Sequence, residues 1–132
     1  MARARDLAEL TLSDLGLAPY RDRPASELTV GLLKRLEVAR ALAMQPKLVL
    51  FDEIMAGLTP TEVGAMTEIV ARLPAHGITV IWVEHVLHAI MKTATRMVVI
   101  NRGSVIAQGA PAEMARDPAV VKAYLGEEMQ LA

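Results

Sequence analysis

The chain has 132 residues, enough for a single hydrophobic core, and its formal net charge is −1. That charge provides no basic surface for nucleic acid, and no apolar run reaches the roughly 18 residues that a bilayer-spanning helix needs. The first residues lack the apolar segment of a secretory signal, and the absence of cysteine excludes disulfides and fits a cytoplasmic protein.

The N-terminal third of the chain is predicted to be helical. A first helix covers about Ala4 to Leu15, and a polar connection follows it. The clearest helix runs through residues 27–43, with Thr29 as its N-cap. Gly31 in its first turn costs about 1 kcal/mol relative to alanine. We expect the benefit to be close approach of an anion to the backbone N–H groups at this helix N-terminus.

A short apolar run from Leu48 to Phe51 is predicted to be a buried parallel strand, and it ends in Asp52 and Glu53. Ligands of open α/β sheets bind at the carboxyl ends of strands, where these two acids lie. One carboxylate suits Mg²⁺ and the other suits orientation of a water for attack on a phosphate. The alternative is an aspartate that merely caps the next helix.

A second strand follows one more helix and also ends in polar residues. Thr59, Pro60 and Glu62 form a helix-starting capping box, and Gly77 is among the residues that stop this helix. The strand at residues 78–83 is also predicted to be buried, and it is followed by Glu84 and His85. A histidine at a strand end is more often structural than catalytic, so its spacing alone favours a structural role.

The remaining residues are predicted to form a short helix, a hairpin and two more helices. The helix covers residues 86–94, the hairpin strands cover 96–100 and 105–109, and the last helix ends before Gly126. Because strands alternate with helices before the hairpin, the pattern indicates an α/β fold with a parallel sheet and right-handed crossovers.

These segments, in this order, resemble the second half of an ATP-binding cassette (ABC) ATPase of the branched-chain amino acid importer type. The segment Leu28–Leu32 stands where the family has its Leu-Ser-Gly-Gly-Gln signature, although Val30 replaces the first glycine and Leu32 the glutamine. The run from Leu48 to Asp52 is similar to the family's Walker B strand. The residues from Asn101 to Glu128 resemble the hairpin and end helices of the amino acid importer branch.

The resemblance implies the C-terminal half of a P-loop (RecA-like) ABC nucleotide-binding domain. Such a half has a mostly parallel sheet flanked by helices, followed by a C-terminal β-hairpin and short helices. The implied division is 1–45 for the end of the helical subdomain, 46–101 for the Walker B and switch-histidine core, and 102–132 for the hairpin and final helices.

The resemblance also implies a role for each site residue. Asp52 would hold Mg²⁺ through water, and Glu53 would be the catalytic base. His85 would be the switch histidine that contacts the γ-phosphate of ATP. The signature residues Thr29, Val30 and Gly31 would contact ATP held by an opposite subunit.

The chain departs from the family in having no G-x-x-x-x-G-K-[ST] phosphate loop. Since that loop grips the β- and γ-phosphates, we expect this chain alone to be inactive as an ATPase. In the resembled fold the phosphate-loop strand lies between the strands at 78–83 and 96–100. We therefore expect both strands to lack a neighbour and parts of their apolar faces to lack cover.

The function implied for a complete protein is an ATP-hydrolysing, Mg²⁺-dependent subunit of an amino acid importer. Its implied partners are transmembrane permease subunits, a second ABC ATPase subunit and, indirectly, a periplasmic substrate-binding protein. It would lie on the cytoplasmic face of the inner membrane and bind no nucleic acid.

Two other functions are open to the sequence. A short, non-catalytic module that pairs with a complete cassette is favoured by the missing phosphate loop and the altered signature segment. A DNA-repair or chromosome-organising ATPase shares related motifs, but the chain has no heptad segment and no basic patch.

Overall fold

The computed structural model describes residues 2–128, which form two compact units with their boundary between Val86 and Leu87. Met1 and residues 129–132, the ends of the predicted 1–45 and 102–132 segments, lie outside the described residues. The predicted three-part division stays a prediction. None of the helices within residues 2–128 is long and apolar enough to cross a membrane.

The first unit contains three helices and two strands. In chain order they are α1 (Ala2–Asp14), α2 (Val30–Ala43), β1 (Leu48–Asp52), α3 (Pro60–Arg72) and β2 (Thr79–Val83). Two single 3₁₀ turns occupy the polar connection between α1 and α2, and another follows α3. The N-caps of α2 and α3 are Thr29 and Thr59, as predicted. Residues 27–28, which the predicted helix over 27–43 includes, precede α2.

Strands β1 and β2 pair in parallel, as the alternation of helices and strands predicts. Their register aligns Leu48 with Thr79 and Asp52 with Val83. The prediction that both strands are buried is wrong for this chain, because each has one exposed face. Val49 and Phe51 are buried, whereas the side chains on the other face are exposed: Leu48, Leu50, Ile81 and Val83.

The second unit contains a hairpin and three helices. In chain order its elements are α4 (Leu87–Thr93), β3 (Met97–Asn101), β4 (Ser104–Gly109), α5 (Pro111–Met114) and α6 (Pro118–Glu128). The predicted end of the last helix before Gly126 is wrong, since α6 continues through it. Among the described residues, β3 pairs only with β4, and this pairing is antiparallel.

A tight turn closes this hairpin. Arg102 and Gly103 both have positive φ angles, 47° and 79°, as a two-residue hairpin turn of type I′ requires. A buried hydrophobic cluster of the unit consists of Met97, Val99, Met114 and Val120. On the opposite side of the hairpin Val98, Ile100 and Val105 are exposed, which confirms the expected loss of cover.

Candidate functional site

The candidate site lies at the carboxyl ends of the parallel strands β1 and β2. Asp52 ends β1 and pairs with Val83, which ends β2. The next residue, Glu53, donates its backbone N–H to the Val83 carbonyl at 2.9 Å, so the two strands remain joined one residue beyond their ends. The parallel register therefore brings the acids after β1 beside Glu84 and His85 after β2.

Glu53 has a backbone conformation that residues other than glycine rarely adopt. Its φ angle is 49°, in the left-handed region, which costs a residue other than glycine of order 1–3 kcal/mol. Hydrogen bonds on both sides hold it there, because its carbonyl also accepts the Ala56 N–H at 3.2 Å. Strained residues of this kind are concentrated at functional sites, and Glu53 is the predicted catalytic base.

The structure brings the predicted catalytic pair Glu53 and His85 together. His85 Nδ1 lies 3.9 Å from Glu53 Oε1, and both side chains are largely exposed, at 67% and 60%. Each group is thus open to solvent and to a ligand at the strand ends. A carboxylate and an imidazole so placed are able to accept a proton and to contact a phosphate oxygen, respectively.

Asp52 lies at the same edge, and its exposed carboxylate is available to a cation. Among residues 2–128 no group of three or more histidine or acidic side chains forms a metal site. Mg²⁺ in phosphoryl-transfer sites takes one or two carboxylates and completes its shell with water and phosphate oxygens. A single aspartate therefore fits a Mg²⁺ that a nucleotide would help to hold, and it does not fit an ion bound by the chain alone.

The signature residues Thr29, Val30 and Gly31 form the start of α2. The Thr29 hydroxyl accepts the Leu32 N–H at 3.4 Å, and the Val30 side chain is exposed. No hydrogen bond or ion pair between the described residues joins these three to Glu53 or His85. Their position is consistent with a role outside the Glu53–His85 pair, and the predicted contact with ATP stays a prediction.

Gly31 has a packing reason that the sequence does not reveal. A Cβ built on this buried glycine would overlap the carboxylate of Glu62, in the first turn of α3. Glu62 is fixed there by the backbone N–H and the hydroxyl of Thr59, both at 2.9 Å. The hydrogen bond from the Thr59 backbone is the largest cause of a lowered pKa of Glu62, and the bond from the Thr59 hydroxyl and the charge of Arg35 add to it. The capping box of α3 is thus seated against the signature segment.

Glu84 is the residue of the site that the sequence interpretation passes over. Its side chain is completely buried, its Oε2 accepts the Met55 N–H at 3.4 Å, and its Oε1 lies 3.7 Å from His85 Nδ1. The only signal in the sequence is a carboxylate directly after a strand. That signal is identical for Glu53, and it does not distinguish an exposed acid from a buried one.

Comparison with known proteins shows what this chain is similar to. Residues 104–129 match the family described as "Branched-chain amino acid ATP-binding cassette transporter". The chain is 38% identical, over 96% of its length, to the high-affinity branched-chain amino acid transport ATP-binding protein LivG of Salmonella typhimurium. It is 36% identical, over 94% of its length, to the corresponding protein BraF of Pseudomonas aeruginosa.

A solved structure has the same fold. The ADP conformation of MJ1267, an ATP-binding cassette of an ABC transporter, superimposes with a TM-score of 0.85 at 33% identity, over 94% of this chain and 50% of that one. The chain spans about half the length of the curated relatives it matches, 50% for LivG and 49% for BraF. In sequence and in fold, the chain therefore corresponds to the C-terminal half of an ATP-binding cassette of the branched-chain amino acid transporter family.

Proposed function

We propose that this chain supplies the water-activating part of the ATP-hydrolysing subunit of an amino acid importer. The observation that carries the proposal is the 3.9 Å approach of Glu53 and His85 at the ends of two paired parallel strands. The similarity to branched-chain amino acid transport proteins supports branched-chain amino acids as the solutes.

Each residue has a defined task in this proposal. Glu53 orients a water through its exposed carboxylate and accepts the proton that the water loses. His85 contacts the γ-phosphate with its imidazole. Asp52 would hold Mg²⁺ through water, and the bound ion would supply charge neutralisation on the phosphates. Thr29, Val30 and Gly31 belong to the segment that closes on ATP in an opposite subunit.

The partners follow from the same proposal. The subunit works with a second ATP-binding subunit, since its signature segment serves the opposite nucleotide. Transmembrane permease subunits carry the solute, a periplasmic binding protein delivers it, and the ATP-binding subunits lie on the cytoplasmic face of the inner membrane. ATP and Mg²⁺ are the required cofactors.

The first prediction tests the base. In a cassette completed with a phosphate-loop half, Glu53→Gln removes the proton acceptor while it preserves the shape of the side chain. We expect ATP turnover to fall roughly 100-fold or more, with ATP binding retained. Glu68→Gln is the matched control, because it makes the same charge change on an exposed residue of α3. Full turnover in Glu53→Gln would remove Glu53 from the role of base.

A second function is favoured by the composition of the signature segment. Val30 and Leu32 replace a glycine and a glutamine of the family pattern, as expected if the segment no longer closes on a nucleotide. The chain would then be a non-catalytic module that pairs with a complete cassette. This function replaces the first one if the completed cassette hydrolyses no ATP while the added chain changes the turnover of an intact cassette.

A further inference from the structure

Glu84 is a buried carboxylate with only one hydrogen bond. Its side chain is 0% exposed, and Oε2 accepts the Met55 N–H at 3.4 Å. The other oxygen, Oε1, has no hydrogen-bond partner among residues 2–128. Burial of an ionised carboxylate is unfavourable unless the carboxylate is paired. A hydrogen-bond donor to Oε1 would therefore stabilise the buried side chain.

His85 is the donor that the structure offers. Its Nδ1 lies 3.7 Å from Glu84 Oε1. Within residues 2–128, His85 is the only residue in ion-pair contact with Glu84. The same nitrogen lies 3.9 Å from Glu53 Oε1, so two carboxylates compete for one N–H. Glu53 is exposed and water can solvate it, whereas Glu84 is not accessible to water. The N–H at Nδ1 therefore stabilises Glu84 more than it stabilises Glu53.

The two oxygens of Glu84 thus reach both parts of the site. Oε2 is bonded to Met55, in the turn directly after Glu53, and Oε1 faces the ring of His85. A hydrogen bond at Nδ1 fixes both the orientation and the tautomer of an imidazole. The ring then presents Nε2 to a ligand, and the Glu53 carboxylate is left free. With its proton on Nδ1 a neutral ring has only an acceptor at Nε2, so His85 donates to a γ-phosphate oxygen as the doubly protonated imidazolium.

We propose that Glu84 is a positioning residue, whose buried carboxylate holds His85 through Nδ1 and anchors the turn after Glu53 through the Met55 N–H. It touches neither nucleotide nor metal. This positioning role rests on the proposed function only for the catalytic tasks of Glu53 and His85. The arrangement itself is testable in this chain without nucleotide.

The wild-type chain provides the first test. Long-range ¹H–¹⁵N correlation spectra of the imidazole, in mildly alkaline buffer where a histidine ring is neutral, report which nitrogen carries the proton. We expect the proton of His85 on Nδ1. A proton on Nε2 would overturn the proposal, because Nδ1 would then have nothing to donate to Glu84.

Glu84→Gln provides the second test, because an amide has one acceptor oxygen where a carboxylate has two. It is unable to accept from both His85 and Met55, so either the His85 proton moves to Nε2 or exchange of the Met55 amide accelerates about tenfold. Glu84→Ala should produce both changes. Glu68→Gln, the matched control, should produce neither change.

An unaltered tautomer and an unaltered Met55 exchange rate in a folded Glu84→Gln chain would overturn the positioning role. This result is separate from the turnover test of Glu53. If Glu53→Gln retains turnover while Glu84→Gln shifts the His85 proton, the proposed function fails and the positioning by Glu84 stands. If Glu53→Gln loses turnover while the spectra of Glu84→Gln do not change, the proposed function stands and the positioning role of Glu84 fails.

Discussion

The two strand pairs of this chain are alike in burial and different in how they are joined. In both, alternate residues are buried on one face: Phe51 is 5% exposed in β1 and Val99 is 3% exposed in β3. Their neighbours on the other face are open, with Leu50 at 70% and Ile100 at 65%. The β3–β4 pair is closed by a two-residue turn, whereas the β1–β2 pair is connected through α3.

This difference explains where the candidate site is found. In a hairpin the turn sets the register of the two strands, and it occupies the end of the first strand and the start of the second. A parallel pair needs a long crossover, and its two carboxyl ends meet at one edge with free side chains. The site residues Asp52, Glu53 and His85 lie at that edge. The geometry of the candidate site therefore depends on α3 and on how that helix is held.

The largest effect should come from the covered face of the parallel pair. Phe51→Ala removes a buried aromatic side chain from β1 and should lower the free energy of unfolding by about 3–5 kcal/mol. Leu50→Ala, one residue earlier on the open face, should change it by less than about 0.5 kcal/mol. Urea denaturation of both variants measures the contrast. Similar losses at the two positions would show that the face carrying Leu50 is covered in solution.

The exposed faces also show what sequence patterns predict and what they do not. The run from Leu48 to Phe51 is apolar at every position, which is typical of a strand covered on both sides. The strand and its position were predictable from this run. The exposure of one of its faces was not predictable. A run of apolar residues shows that both faces of a strand are suited to burial, and it does not show whether this chain contains the residues that would cover them.

The site was predictable to a similar extent. Its residue types and their order, together with the family resemblance, indicated Glu53 and His85 as candidates, and the structure brings them together. The burial of Glu84 was missed, since burial depends on tertiary packing. The packing around Gly31 was also missed: a helix N-terminus suggested a bound phosphate, whereas the group next to this glycine is the carboxylate of Glu62, in a helix that begins 29 residues later.

Two helical glycines sharpen the comparison, because alanine should have opposite effects at them. At Gly31 the added methyl group would overlap the fixed Glu62 carboxylate, and we expect a loss of about 1–2 kcal/mol. At Gly64, in α3, the methyl group would meet open space, and we expect a gain of about 0.5–1 kcal/mol. Denaturation midpoints of the two variants test this. Stabilisation by Gly31→Ala would mean that the capping box does not lie against α2.

A smaller effect than the contrast between the two glycines concerns the cap of α3, the helix that joins the parallel pair. Thr59→Ala removes a hydroxyl that accepts the Glu62 N–H and donates to the Glu62 carboxylate, and it should cost about 1 kcal/mol at neutral pH. Because the native pKa of Glu62 is lowered, its ionised form stabilises the fold above the ordinary glutamate range. That contribution is lost as the pH falls through the lowered value.

The pH dependence therefore distinguishes the carboxylate from the rest of the cap. In Thr59→Ala the pKa of Glu62 should rise only part of the way to its ordinary value, since the backbone N–H of residue 59 remains, and this bond is the largest cause of the lowering. The stability difference from the wild type should narrow in acid, where Glu62 is protonated in both chains. Urea denaturation across the acid range, with a side-chain NMR titration of Glu62, measures both. A difference that stays constant with pH would assign the whole effect to the Glu62 N–H and none to its carboxylate.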